Sequence, residues 1–244
     1  MTLAPHILRK SLLVGARQAQ GVAVVIDVLR AFTSAAYMTH LGATHIVLVN
    51  DPQVVLRLKR EMGYLAVGEV GGRPVDGFDL GNSPAAILAA GRDLFAGRVV
   101  AQRTSAGVAG AVAASHQADR VLLGSYVTAA ATARHIQCLA SPPQTVSLVA
   151  MGDAGRACTP DDERCADYLE HLLTGCGYDH AQAVREIVEH PCTQKFLRGD
   201  QAHYPPEDPI YCLQVDLFDF ALVASLEDGQ LVARRTDLLP GVAP

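Results

Sequence analysis

Between Val22 and Ala150, six short apolar runs alternate with five Ala- and Leu-rich segments. The runs are Val22–Val28, His45–Asn50, Tyr64–Gly68, Arg98–Gln102, Arg120–Leu123 and Thr145–Ala150. Their Val, Ile and Leu content is the pattern of strands buried on both faces. Arg30–Leu41, Pro52–Met62, Pro84–Ala90, Ala106–Ser115 and Thr128–Leu139 carry good helix formers. Alternation of this kind predicts a layered α/β/α fold on a largely parallel sheet. Ligands of such sheets bind in the loops after the carboxyl ends of the strands.

The last hundred residues have a different texture. Thr159-Pro160-Asp161-Asp162 predicts a capped helix start running to about Thr174, with Gly175 as its stop. Asp179–Glu189 and Thr193–Leu197 read as further helices separated by Pro191. Phe220–Leu226 and Leu231–Arg235 flank Glu227-Asp228-Gly229-Gln230 and predict a hairpin. No linker or repeat interrupts the 244 residues, so a single domain is expected, with room for two lobes.

Composition removes several functions. Hydrophobic residues make up 50% of the chain and charged residues 18%, which is globular. Net charge is −5 with no basic run, so nucleic acid is not an expected partner. The longest apolar runs, such as Gly21–Ile26 and Val146–Met151, are too short to span a membrane. Met1–Lys10 lacks a signal-peptide core, so a cytoplasmic protein is expected. Six cysteines without a C-x-x-C pair are then reduced thiols. Gly-x-Ser-x-Gly, P-loop and Gly-x-Gly-x-x-Gly motifs are absent, as is a His-x-x-x-His pair.

The remaining chemistry gathers at predicted strand ends. Glu69 to Pro84 packs glycines, Arg73, Asp79, Asn82 and Ser83 into sixteen residues. Glycines let backbone approach a ligand, and Arg73 can grip a phosphate or carboxylate with two parallel bonds. Asp27 ends the first predicted strand beside a helix start, a place to hold a metal or face a phosphate. Arg103-Thr104-Ser105 ends another and is suited to cradling an oxyanion. Asp162 stands in the first turn of the Thr159 helix. Acids with arginines and glycine loops are the parts of magnesium-assisted phosphoryl chemistry.

Read together, these residues make Asp27, Glu69, Asp79 and Asp162 the candidate ligands, some of which would hold Mg2+. Arg30, Arg73 and Arg103 neutralise a small anionic phosphorylated substrate. Asn82, Ser83 and Ser105 are its polar contacts, and Asp27, Arg30 and Asp79 stand closest to the chemistry. A non-catalytic anion-binding protein on the same fold is the alternative. A cysteine hydrolase is disfavoured, because no lysine occupies a suitable strand-end loop.

The chain resembles the 2-phosphosulfolactate phosphatase family. Ile26-Asp27-Val28-Leu29-Arg30-Ala31, Gly71-Gly72 with Pro74, and Phe78-Asp79-Leu80-Gly81-Asn82-Ser83-Pro84 carry the likeness. Gly124-Ser125-Tyr126, Gly152 to Gly155-Arg156, and Asp162 with Cys165-Ala166 add to it. The resemblance implies an α/β magnesium-dependent hydrolase of a phosphorylated 2-hydroxy acid bearing a sulfonate, and permits a homodimer. The chain departs from the family pattern at Ala106 and Thr128, where that pattern carries asparagine.

Overall fold

The computed structural model describes residues 4–141 and 143–237. Its strands are β1 (His6–Ser11), β2 (Val22–Ile26), β3 (His45–Leu48), β4 (Leu65–Val70), β5 (Arg73–Pro74), β6 (Val99–Arg103), β7 (Arg120–Gly124), β8 (Thr145–Ala150), β9 (Phe220–Glu227) and β10 (Gln230–Asp237). They form one sheet in the order β1-β8-β2-β7-β9-β10-β3-β6-β4-β5. The expected α/β class is what forms, with helices flanking a sheet that is mostly parallel.

The parallel pairing comes in two blocks. β1, β8, β2 and β7 run together, and β3, β6 and β4 run together. The β9–β10 hairpin lies between them and pairs antiparallel with each block. Three antiparallel steps therefore reverse one block relative to the other. Twist of roughly 20–25° per step accumulates to roughly 100–125° over the five steps from β2 to β6. This turns the carboxyl ends of the two blocks toward each other. The contact is direct: the Gly107 N–H, just past β6, donates to Asp27 Oδ2, just past β2, at 2.8 Å.

The helix Ala31–His40 fills the concave side of this coil, and all its residues through Thr39 are buried. A helix with one apolar stripe would leave a wet face. Here alanines and serine at 31, 34, 35 and 36 let neighbours approach on every side, while Phe32 and Met38 fill the volume. Each of those two contributes roughly 1.5–3 kcal/mol by burial. Val25 and Leu123 from one block and Val67 and Val100 from the other belong to the same core. Among the described residues, no helix is long and apolar enough to cross a membrane.

Some elements differ from the sequence reading. β2 stops at Ile26, two residues early, because Asp27 and Val28 turn away to make helix and loop contacts. β4 runs on to Val70, so Glu69 is a strand residue and not part of a loop. The short β5 and the helices Leu12–Ala16, Arg92–Phe95 and Asp208–Cys212 have too few residues to show a period in sequence, and β1, an edge strand with polar His6, Arg9, Lys10 and Ser11, lacks the apolar run of a buried strand.

Candidate active site

Loops after β2, β4, β6 and β8 enclose a cavity of about 320 Å³. Asp27, Arg30, Glu69, Asn82, Ser105 and Asp161 are in its wall. Each is fixed by local structure. Asp27 Oδ1 accepts from the Ala31 N–H at 2.9 Å at the start of the central helix, and Oδ2 accepts from Gly107. A Cβ at Gly107 would lie 2.8 Å from Asp27 Oδ2, so only glycine allows this approach. Glu69 accepts from the Ser105 and Gly72 N–H groups and, at 3.0 Å, from the Ser105 hydroxyl. The Glu69 carboxylate thus ties the β4–β5 turn to the end of β6. Asp161 accepts from the Leu29 N–H at 3.2 Å, and the Cys192 thiol lies 3.6 Å from its other oxygen.

The acids are crowded and dry. Asp27, Glu69, Asp161 and Asp162 are each no more than 6% exposed. Among the described residues, no basic side chain lies within ion-pair distance of any of them. Burial, with repulsion from Asp161 and Glu69, pushes the Asp27 carboxyl up to about 7 despite its two backbone donors. Burial also raises Asp161, and burial with the charges of Asp161 and Asp27 holds Asp162 well above the ordinary range. An acid cluster of this kind is relieved either by protons or by a cation.

Arg30 is 5% exposed and pairs through Nη1 with Asp208 and the His203 carbonyl, both at 2.8 Å. Its guanidinium lies 5.1 Å from the Phe196 ring centroid and 5.2 Å from that of Tyr204. Nε and Nη2 take no partner among the described residues, which leaves donors for the cavity. The Leu29–Arg30 peptide bond is cis. The Asn82 carbonyl oxygen is buried without a partner at the same wall.

Other expected site residues lie elsewhere. Asp79 does not reach the cavity. Its N–H bonds to the Ala66 carbonyl, so it lies level with Ala66, three residues short of Glu69. That is about 10 Å back along the strand. Its carboxylate is taken by Lys59 Nζ at 2.7 Å and the Ala66 N–H at 2.9 Å. Phe78 and Leu80 draw this segment down against the cores on either side of β4. Asp162 also turns from the cavity, accepting from Val28 and Gly152 N–H at 2.7 Å each and joining the loops after β2 and β8. Asp161, its neighbour, takes the wall position instead.

Arg103 donates through Nε to the Asn50 carbonyl and through Nη1 to the Glu69 carbonyl and to Ser105 Oγ. Ser83 caps the Pro84–Ala90 helix and donates to buried Asp208 at 2.7 Å. Arg73 is exposed in β5 and outside the wall, although its charge, after burial, lowers the nearby His203 imidazole. Ala106 lines the cavity, whereas Thr128 is buried away from it.

The sequence reading missed Asp161, Cys192, Lys195, Tyr204 and Asp208. The adjacent acids Asp161 and Asp162 are indistinguishable until the helix start fixes their directions. The others come from the helical tail, where no motif marks them. Cys192 and Lys195 bring a thiol and an amine to the cavity. Burial pushes that thiol up to about 12, so it is held protonated and is a poor nucleophile.

A family model described as 2-phosphosulpholactate phosphatase matches residues 8–226. A Bacillus subtilis (strain 168) protein named probable 2-phosphosulfolactate phosphatase is 31% identical over 210 residues, covering 85% of this chain and 88% of that protein. A Thermoplasma acidophilum protein of the same name is 30% identical over 210 residues, covering 86% and 87%. One from Deinococcus radiodurans is 36% identical over 153 residues, 62% of each chain. A match across nearly the whole fold, with the loops that build the cavity inside it, means that this chain belongs to the 2-phosphosulfolactate phosphatase family.

Proposed function

We propose that the protein is a magnesium-dependent phosphatase acting on a small phosphorylated 2-hydroxy acid, 2-phosphosulfolactate or a close relative. The observation that carries this reading is the buried acid cluster without a paired cation. Its donors are oxygens, which suit a hard ion. Among the described residues, no three Asp, Glu, His or Cys groups are assembled as a ready metal cage. Magnesium keeps several waters and binds through one or two carboxylates together with substrate phosphate.

Asp27, with Glu69 or Asp161, would hold the ion. Magnesium would supply charge against the phosphoryl oxygens and favour attack by water. Asp27 must shed a proton to serve as a ligand, which it does near neutral pH. Arg30 directs its free Nε and Nη2 donors at phosphoryl oxygens, its position locked by Asp208 and two aromatic rings. Asn82 presents an unpartnered side-chain oxygen at the same wall, an acceptor for a water or a protonated group beside the ligand. Hydrolysis breaks the ester P–O bond. The water oxygen joins phosphorus, and the alcohol oxygen leaves with a proton.

The test is release of inorganic phosphate from 2-phosphosulfolactate, with and without magnesium. Turnover that stops on chelation and returns with magnesium is expected. Full turnover after exhaustive chelation would refute the metal assignment. Anion binding with no turnover under any condition would favour a non-catalytic binding protein.

A further inference from the structure

The cavity must admit a substrate with several negative charges, yet acids dominate its wall. Asp27, Glu69, Asp153 and Asp161 line it, against two basic residues, Arg30 and Lys195. The Arg30 charge is already balanced by Asp208, buried at 0% exposure and 2.8 Å away. Lys195 has no carboxylate within ion-pair distance among the described residues. It is the uncompensated cation of the wall.

Its position is well defined. Lys195 stands on the Pro191–Leu197 helix, three residues after Cys192, which shares the wall. Its ammonium is 4.8 Å from the Tyr204 ring centroid and 5.6 Å from that of Phe196. Those rings pack edge to face with centroids 4.9 Å apart and also hold Arg30. Ring faces favour a cation without neutralising it, so the amine stays available to an anion. A compact ammonium with rotatable donors suits an acid group that need not be planar.

We propose that Lys195 selects the substrate by binding the acid end that is not phosphorylated, its carboxylate or sulfonate. This rests on the phosphatase reading above and makes Lys195 a specificity determinant of the same site. Arg30 and the acid cluster then serve the phosphoryl end. A cavity of about 320 Å³ has room for a small ligand spanning both.

The experiment compares the wild-type protein with Lys195→Met, which keeps the stem against the rings and removes the charge. 3-Sulfolactate, bearing both acid groups and no phosphoryl group, is titrated calorimetrically into each with magnesium present. A ten- to hundredfold weaker Kd in Lys195→Met is expected, the value of one charge-assisted contact. Lys195→Arg should recover part of it. Phosphate release is measured in parallel. The variant's loss of kcat/KM should be at least tenfold larger for 2-phosphosulfolactate than for phenyl phosphate, and should fall mainly on KM. Equal sulfolactate affinity in wild type and variant, or no measurable binding by wild type, overturns the proposal. Equal losses on the two esters overturn it as well, by assigning Lys195 to the phosphoryl group. If wild type binds sulfolactate through Lys195 but hydrolyses neither ester, the phosphatase reading fails while the Lys195 assignment stands.

Discussion

At the scale of single residues, the acids of this chain divide by what their oxygens accept. Asp27 has a carboxyl raised from 3.8 to about 7, so the folded protein binds its proton more tightly than the unfolded chain does. Stability from this group is therefore greatest at low pH. It is lost as pH rises from about 4 to about 7, by on the order of 2–4 kcal/mol. Asp27→Asn removes that dependence but leaves one of two backbone donors facing an amide NH2, at a cost of about 1–3 kcal/mol. Without divalent cations, the variant should melt below wild type at pH 5, and the gap should close by pH 8. Parallel melting curves would place the titration elsewhere. Asp79 and Glu69 form a second pair. Asp79→Asn weakens the contacts to Lys59 and Ala66 and should cost about 0.5–1.5 kcal/mol of stability while leaving magnesium affinity and KM as they were. Glu69→Gln should weaken magnesium binding tenfold or more. Calorimetric titration of both variants decides; the reverse ranking would return Asp79 to the site.

At the scale of elements, the glycine-rich stretch from Glu69 to Pro84 is two structures. Its first part is a tight turn between β4 and β5 that faces the cavity; its second part returns parallel to β4 at Leu80, with Asp79 as scaffold, and reaches the cavity wall again at Asn82. Gly72 shows how close the first part comes to the helical tail. Its φ is +80°, and a Cβ there would lie 1.9 Å from the Tyr204 hydroxyl oxygen. Gly72→Ala should cost about 1–3 kcal/mol from backbone conformation and collision together. Adding Tyr204→Phe removes the colliding oxygen and should recover part of that loss, a non-additivity read by a double-mutant cycle in thermal melts. Additive penalties would mean that strain at φ +80° alone sets the cost.

At the scale of the molecule, the C-terminal hairpin is a central part of the sheet. β9 covers β7 and β10 covers β3, so within the sheet the two parallel blocks are joined through it. Ending the chain before Phe220 would bare two apolar central strand edges. It would also detach the blocks whose carboxyl ends form the cavity. The truncated protein should lose its cooperative thermal transition and aggregate. Soluble protein with a sharp melt would show that the blocks hold together through the central helix alone.

The α/β class, the places of most strands and helices, and the loops where chemistry gathers are legible in the order of residues alone. These follow from periodicity and turn residues, which are local and survive in any window of ten or so residues. Asp27, Arg30, Glu69, Asn82 and Ser105 were legible in this way, as acids, arginine and polar groups at strand ends. Which of them share a cavity depends on how the blocks and the helical tail pack. Asp79 is ten residues from Glu69 in the chain, but level with Ala66 once Phe78 and Leu80 pack, half-buried, against the cores. Asp161 and Asp162 are adjacent in sequence and point to different partners. Arg103 and Ser83 spend their donors on neighbours that no local pattern reveals. Lys195, Tyr204 and Asp208 lie more than 150 residues from Arg30 in sequence and meet it only when the sheet coils. The physical reason is range: propensity and periodicity act over a few residues, whereas side-chain partners are set by burial and hydrogen-bond satisfaction across the whole core.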